Sequence, residues 1–162
     1  MKKDRFLLGI LIGIGILVLL AVVRVLTYSP AEMTYGEETT PQGVVHNYLV
    51  AVYRQEYERA YSYLADKAKK PTLDGFRRSF LMGMVDPKQA MVQVGKAEIV
   101  DETQARVEVN IIYVSSDPFG GSYSNVQYAF LVRQDGAWKI ESMPYPFWDG
   151  SWYEVLPVSP GD

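Results

Sequence analysis

The side chains in this chain that are best suited to chemistry are its tyrosines, which number 12 among 162 residues. A buried tyrosine offers a flat apolar ring and a hydroxyl that needs a hydrogen-bond partner, so several together can line a pocket for a small apolar ligand. The simpler hypothesis is that the rings fill the core and their hydroxyls bond to carbonyls. The candidate pocket residues are Tyr48, Tyr57, Tyr61, Tyr113, Tyr128 and Trp138.

Catalytic arrangements have little support in the residue types. A tyrosine working with Asp117 as acid and base is a further hypothesis, but no spacing pattern points to it. The only histidine, His46, is predicted to point away from the apolar face of its helix, which argues against a nucleophile–histidine pair. One histidine and no cysteine cannot supply the usual zinc ligands. We therefore assign no catalytic residue and expect neither a cofactor nor a metal.

A second aromatic concentration lies near the C-terminus, between Pro144 and Tyr153. So many aromatic rings in one short segment are rarely all exposed to solvent. Two hypotheses stay open: the segment packs on its own domain, or it forms an interface with a second copy or a partner protein, where aromatic residues concentrate. The interface candidates are Phe147, Trp148, Trp152 and Tyr153.

Near the N-terminus, Phe6–Val23 carries no charged or amide side chain. About 20 apolar residues are needed for a helix that crosses a bilayer, so this run predicts a transmembrane helix in contact with lipid. Lysine and arginine precede the run and glutamates follow it, which predicts a cytoplasmic N-terminus and an extracytoplasmic domain on a single-pass cell-membrane protein. The length of the run and the lack of a small-residue cleavage pattern predict an uncleaved signal anchor.

The charge balance excludes one class of partner. The whole chain carries −3, of which residues 1–24 contribute +3, so the remainder carries about −6. Nucleic-acid binding rests on neutralising phosphates, and an acidic domain lacks the means to do so. The absence of cysteine predicts a domain held together by packing alone, as suits a bacterial surface protein.

The periodicity of apolar residues predicts three helices followed by an antiparallel sheet, an α+β class. Pro41 predicts a helix start, Gly95 a bulge, residues 115–123 a loop, and Asp135-Gly136 the turn of a hairpin. The predicted domain organisation is a cytoplasmic flank and anchor over 1–28, a stalk over 29–40, the α+β domain over 41–143 and an irregular tail over 144–162.

Several of these stretches resemble the NTF2-like superfamily over about residues 41–143. The resemblance rests on GVVHNYLVAVYRQ running into EYERAYSYLADKAK, on LDGFRRSF and on the closing hairpin FLVRQDGAWKIESM. It implies a cone in which three N-terminal helices pack on a curved antiparallel sheet. Similar enzymes, such as ketosteroid isomerase and the polyketide cyclases, use Asp, His or Tyr in the pocket, whereas many anchored bacterial members have no known activity.

Fold resemblance alone cannot choose a function. The hypothesis that we favour is a membrane-tethered, extracytoplasmic, non-catalytic binding module that holds a small apolar ligand or an envelope protein partner. The alternatives are an isomerase, dehydratase or cyclase that uses Tyr and Asp in the cavity, and a structural module that forms homodimers.

Overall fold

The computed structural model describes residues 9–20, 34–114 and 120–153. The chain divides into two compact units, Met1–Met33 and Thr34–Asp162. In the first unit, helix α1 is described over residues 9–20. All other elements lie in the second unit, which carries the candidate site.

The predicted transmembrane helix requires a correction. Across the three described ranges, no helix is both long enough and apolar enough to cross a membrane. The predicted segment Phe6–Val23 extends past residues 9–20 on both sides, and its two ends lie outside the described residues. The predicted cellular location is not tested by this finding and stays a prediction.

Three helices begin the second unit: α2 (Pro41–Tyr53), α3 (Tyr57–Ser62) and α4 (Leu73–Leu81). Thr40 caps α2 as predicted, since its hydroxyl accepts from the Gly43 N–H and proline follows at the first helical position. Thr72 caps α4 in the same way, through the Gly75 N–H. Helix α3 is shorter than its apolar period predicts, because Leu64 leaves the helix and forms a bridge with Ile140.

Four antiparallel strands follow in the order β1 (Met91–Ile99), β2 (Gln104–Val114), β3 (Ser122–Gln134) and β4 (Ala137–Ser142). A 3-10 turn, Pro87–Gln89, precedes β1. The predicted loop over 115–123 is shorter than expected, because β3 already includes Ser122 and Tyr123, while residues 115–119 lie outside the described residues. The predicted α+β class with helices before an antiparallel sheet is confirmed.

Two local predictions are also confirmed. Asp135 and Gly136 have φ of 50° and 81°, the pair of positive values that a tight two-residue hairpin needs. The register of β1 against β2 shifts between Val94 and Ala97, so the bulge lies at the predicted Gly95. A Cβ at Gly95 would approach the Glu108 Cβ to 2.9 Å, which explains why glycine suits this position.

One face of the sheet forms the core with the helices. The buried residues of α2 include Val44, Val45, Tyr48, Leu49 and Val52, the face that the helical period predicts. From β2 the core takes every second residue, namely Ala105, Val107, Val109 and Ile111. From β3 it takes only Ala129 and Leu131, so the first half of this strand extends beyond the core.

Substitutions at Gly43 and Gly75 test how residues 34–40 pack, because each glycine lies three residues after a capping threonine. A Cβ at Gly43 would overlap the backbone carbonyl of Glu37, whereas one at Gly75 would lie 3.3 Å from the Thr72 hydroxyl. We expect Gly43→Ala to lower the free energy of unfolding by about 1–3 kcal/mol through overpacking. Gly75→Ala should change it by less than about 1 kcal/mol, because better helix propensity offsets the close contact. Urea unfolding followed by tryptophan fluorescence measures both, and equal losses would contradict the packing that we describe.

Candidate functional site

The aromatic segment after β4 lies inside the domain and packs against helices α2 and α4. Phe147 is fully buried, and Trp148 and Trp152 are nearly so. The Trp152 ring centre lies 4.8 Å from that of Phe76 on α4, and the Trp148 ring centre lies 6.3 Å from that of Tyr48 on α2. Burying each such ring stabilises the folded state by about 2–3 kcal/mol, so this segment is a substantial part of the core.

This placement bears directly on the predicted interface residues Phe147, Trp148, Trp152 and Tyr153. The first three belong to the core cluster, and Tyr153 stacks on Trp148 with ring centres 6.0 Å apart. In this structure the segment packs on its own domain, which is the first of the two hypotheses. A partner could reach Phe147 or the two tryptophans only if the core opened, so they offer no surface in this conformation.

The six candidate pocket residues do not converge on one cavity. Tyr48 and Trp138 are buried in the core, and Tyr57 and Tyr61 are partly buried beside Phe80 and Phe76. Tyr113 stacks on its cross-strand neighbour Tyr123, with ring centres 4.9 Å apart. Tyr128 lies on the opposite face of the sheet, where its ring packs against the Arg106 guanidinium.

Tyrosine hydroxyls in the core hold loops in place. The Tyr48 hydroxyl donates to the Phe147 carbonyl at 2.8 Å and thereby ties α2 to the aromatic segment. The Tyr53 hydroxyl donates to the Ala90 carbonyl at 3.1 Å, and that of Tyr61 to the Pro71 carbonyl at 2.8 Å. Burial raises the pKa of Tyr48 well above its usual range and that of Tyr53 to about 12. The hydroxyls of Tyr48 and Tyr53 therefore stay neutral donors at physiological pH.

Carboxylates are missing from the described core, where the fully buried polar residues are Asn47 and Ser79 alone. Asp149 accepts from the Ser79 hydroxyl at 2.7 Å, and Trp152 Nε1 donates to that same hydroxyl at 3.3 Å. Burial raises the pKa of Asp149, but hydrogen bonds from Ser79 and Ser151 outweigh it and lower the pKa below its ordinary value. Such a carboxylate is held ionised and suits a structural role better than a general acid. Asp117, named above as a catalytic partner, lies outside the described residues.

A second polar cluster holds the start of the unit against the helices. The Glu38 carboxylate accepts from the Tyr63 hydroxyl at 2.7 Å and from the Arg59 guanidinium at 3.2 Å, and these bonds lower its pKa. Gly36 exchanges two hydrogen bonds with the buried Asn47 side chain. His46 lies at the surface as predicted, with Nε2 2.8 Å from the Thr34 carbonyl. Residues 34–40, predicted as part of a stalk, therefore pack on α2 and α3.

The face of the sheet that points away from the helices carries several exposed apolar side chains. We call it the outer sheet face and define it by Met91, Ile112, Val114, Val126, Tyr128 and Phe130, which lie on one side of β1, β2 and β3. The exposed fractions are 56% for Met91 and Val126, 48% for Phe130 and 39% for Tyr128. Arg106 lies among them, bonded to Glu98 on β1 and stacked over the Tyr128 ring.

Sequence reasoning did not identify this surface, although part of the signal was present. The alternation in β3 correctly places Val126, Tyr128 and Phe130 on one face. Because these three residues are apolar, the sequence predicts that their face is buried. The helices instead cover the opposite face, which carries Ala129 and Leu131. Two features indicate that the more apolar side of β3 faces away from the core. They are the small side chain of Ala129 and the extension of β3 beyond the end of β4.

No known protein family matches the chain, and no curated protein matches it. Among solved structures, a SEC-C motif-containing protein of Rhodopseudomonas palustris is 11% identical, with 66% of this chain and 79% of that chain covered and a TM-score of 0.47. An NTF2-like protein of unknown function from Shewanella oneidensis MR-1 is 9% identical, with 60% and 88% covered and a TM-score of 0.42. The predicted NTF2-like class stays a prediction, and its membrane-anchored part has no support. With TM-scores under 0.5, neither structure carries an argument about fold or activity.

The bond from Tyr48 to Phe147 predicts a stability difference between two tyrosines. We expect Tyr48→Phe to lower the free energy of unfolding by about 1–2 kcal/mol, because the buried Phe147 carbonyl loses its donor. Tyr57→Phe is the control, since its hydroxyl makes no hydrogen bond among the described residues, and should change stability by less than about 0.5 kcal/mol. Urea unfolding at neutral pH compares them. Equal effects would show that Tyr48 acts only through its ring.

Tyr53 predicts a loss of stability at alkaline pH. Its pKa is about 12 in the folded state against about 10 in an unfolded chain. Below pH 10 both states keep the proton, and above it the unfolded state loses the proton first, so stability falls as the pH rises from 10 to 12. Urea unfolding between pH 9 and 11.5 should show a shallower fall in Tyr53→Phe than in the parent protein. Equal slopes would contradict this.

Proposed function

We propose that this protein is a non-catalytic binding module that recognises a protein partner through its outer sheet face. The single observation that carries the proposal is the exposure of Met91, Val126, Tyr128 and Phe130 on the face of the sheet that the helices do not cover. A contiguous apolar surface rimmed by polar groups is typical of protein interaction sites.

The composition of the outer sheet face supports a protein partner. Aromatic residues, methionine and arginine are the types enriched at such interfaces, and all of them occur here. Arg106 is held by Glu98 and by the Tyr128 ring, so little side-chain freedom remains to be lost on binding. An already ordered arginine beside Tyr128 and Phe130 is suited to anchor a partner's carboxylate or carbonyl.

The interior supports the choice of a surface over a pocket. A small apolar ligand in the core beside α2 and α4 would have to displace Phe147, Trp148 or Trp152 from buried positions. An isomerase or dehydratase would need a titratable group facing a cavity, whereas the described core holds only Asn47 and Ser79 as buried polar residues. The ligand-binding and enzymatic alternatives therefore have less support than binding at the outer sheet face.

A photo-crosslinking experiment tests the proposal. A photoreactive amino acid replaces Phe130 in the full chain, and in a control it replaces Leu81 on α4, which is 74% exposed and lies outside the outer sheet face. In cells, the first variant should crosslink to a discrete protein that the second does not reach.

The captured protein is then purified and its Kd for the full chain is measured. We expect Phe130→Lys to weaken binding by about 30-fold, the effect of losing one interface hot spot, and Leu81→Lys to leave it unchanged. Crosslinking of the same protein from both positions, or an unchanged Kd for Phe130→Lys, would overturn the proposal.

A further inference from the structure

The sheet has an unprotected edge, a backbone feature that differs from the outer sheet face although Val126 and Tyr128 belong to both. Strand β3 pairs with β2 along its full length, but β4 pairs only with its last part, from Phe130 to Gln134. Over Ser122–Ala129 no described strand lies on the other side of β3. We call this stretch the free edge.

The other two edges are protected by recognisable devices. Along β1, the bulge at Gly95 breaks the ladder, the Gln42 side chain donates to the Gly95 carbonyl, and charged Lys96 and Glu98 follow. Along β4, the Ile140 N–H donates to the Tyr63 carbonyl, and the Ala65 N–H donates to the Ile140 carbonyl. Bulges, charges and covering segments are the usual means of preventing edge-to-edge pairing.

The free edge has none of these devices. Its eight residues, SYSNVQYA, include no charged side chain, no proline and no glycine. Its pairing with β2 runs without a register shift, so the strand is regular over this length. Every second residue along this edge therefore directs its backbone N–H and C=O groups away from β2, where they can pair with another strand.

We propose that a second copy of this chain adds its own free edge to this one, antiparallel, and joins the two sheets into one of eight strands. The edge is suited to itself because an antiparallel pairing of two identical uncharged strands opposes no like charges. This matters in a chain whose residues beyond 24 carry about −6, because elsewhere two copies would repel each other. The inference does not depend on the proposed function.

The alternation of side chains restricts the register. A two-fold axis perpendicular to the sheet keeps each face on its own side, so only residues of the same face can lie opposite each other. With the axis at Val126, Ser124 lies opposite Tyr128 and Asn125 opposite Gln127. The outer sheet faces of the two copies would then be continuous across the junction.

Charge substitution at Asn125 tests the inference. Asn125 is exposed and its side chain points away from the outer sheet face, so the monomer should fold with a charge there. The full chain, kept in solution by a mild detergent, is measured by sedimentation equilibrium. We expect a dimer for the parent protein, at least a tenfold weaker dimer for Asn125→Lys and for Asn125→Glu, and recovery when these two variants are mixed. Gln93→Lys, an exposed change on β1, should leave the dimer unchanged.

A single-cysteine comparison locates the contact, since the chain has no cysteine of its own. In the proposed pairing the two Val126 side chains lie opposite each other, within reach of a disulfide, and so Val126→Cys should form a disulfide-linked dimer under mild oxidation. Gln93→Cys should not. A monomeric parent protein, a dimer unaffected by Asn125→Lys, or equal crosslinking at both cysteines would each overturn the inference. None of these results would alter the Phe130→Lys comparison, so the two proposals fail separately.

Discussion

The rest of the second unit depends on the aromatic segment that follows β4 and is buried in the core. Phe147, Trp148 and Trp152 contact α2 and α4. Their position is held by directional bonds as well as by packing, since Tyr48 bonds to the Phe147 carbonyl and Trp152 bonds to Ser79. The interior is therefore built from the two ends of the domain, which lie about 100 residues apart in the chain.

This packing decides where the molecule can bind anything. Rings that complete the core cannot also line a pocket, because a close-packed interior has no room for both. The tyrosines follow the same pattern. In the core the hydroxyls of Tyr48 and Tyr53 bond to backbone carbonyls, and burial raises the pKa of both. The groups left for recognition are those that the helices do not cover, namely the outer sheet face and the free edge of β3.

The two surfaces share one structural cause. Strand β3 is 13 residues long, while β4 is 6 residues long and ends opposite Phe130. After β4 the chain turns inward to deliver its aromatic residues to the core, so it cannot continue along β3. The same turn that completes the core leaves eight residues of β3 without a neighbour among the described strands. Stability of the interior and exposure of the edge are thus linked.

Local rules in the sequence determined the individual elements. The helix start at Pro41, the glycine bulge, the Asp-Gly hairpin and the apolar face of α2 each depend on a few neighbouring residues, and they occur as predicted. These features also determined the α+β class. The predicted transmembrane helix was wrong within the described residues, because the run of apolar side chains does not by itself establish a helix of sufficient length.

Only the tertiary structure decided which face of β3 is buried. Alternation places Val126, Tyr128 and Phe130 together, but the choice of face depends on where the helices and the final segment pack. The Trp-rich segment could equally have been an interface or a core, since the same apolar rings suit both. Its burial follows from contacts between residues far apart in the chain, and no local pattern encodes such contacts.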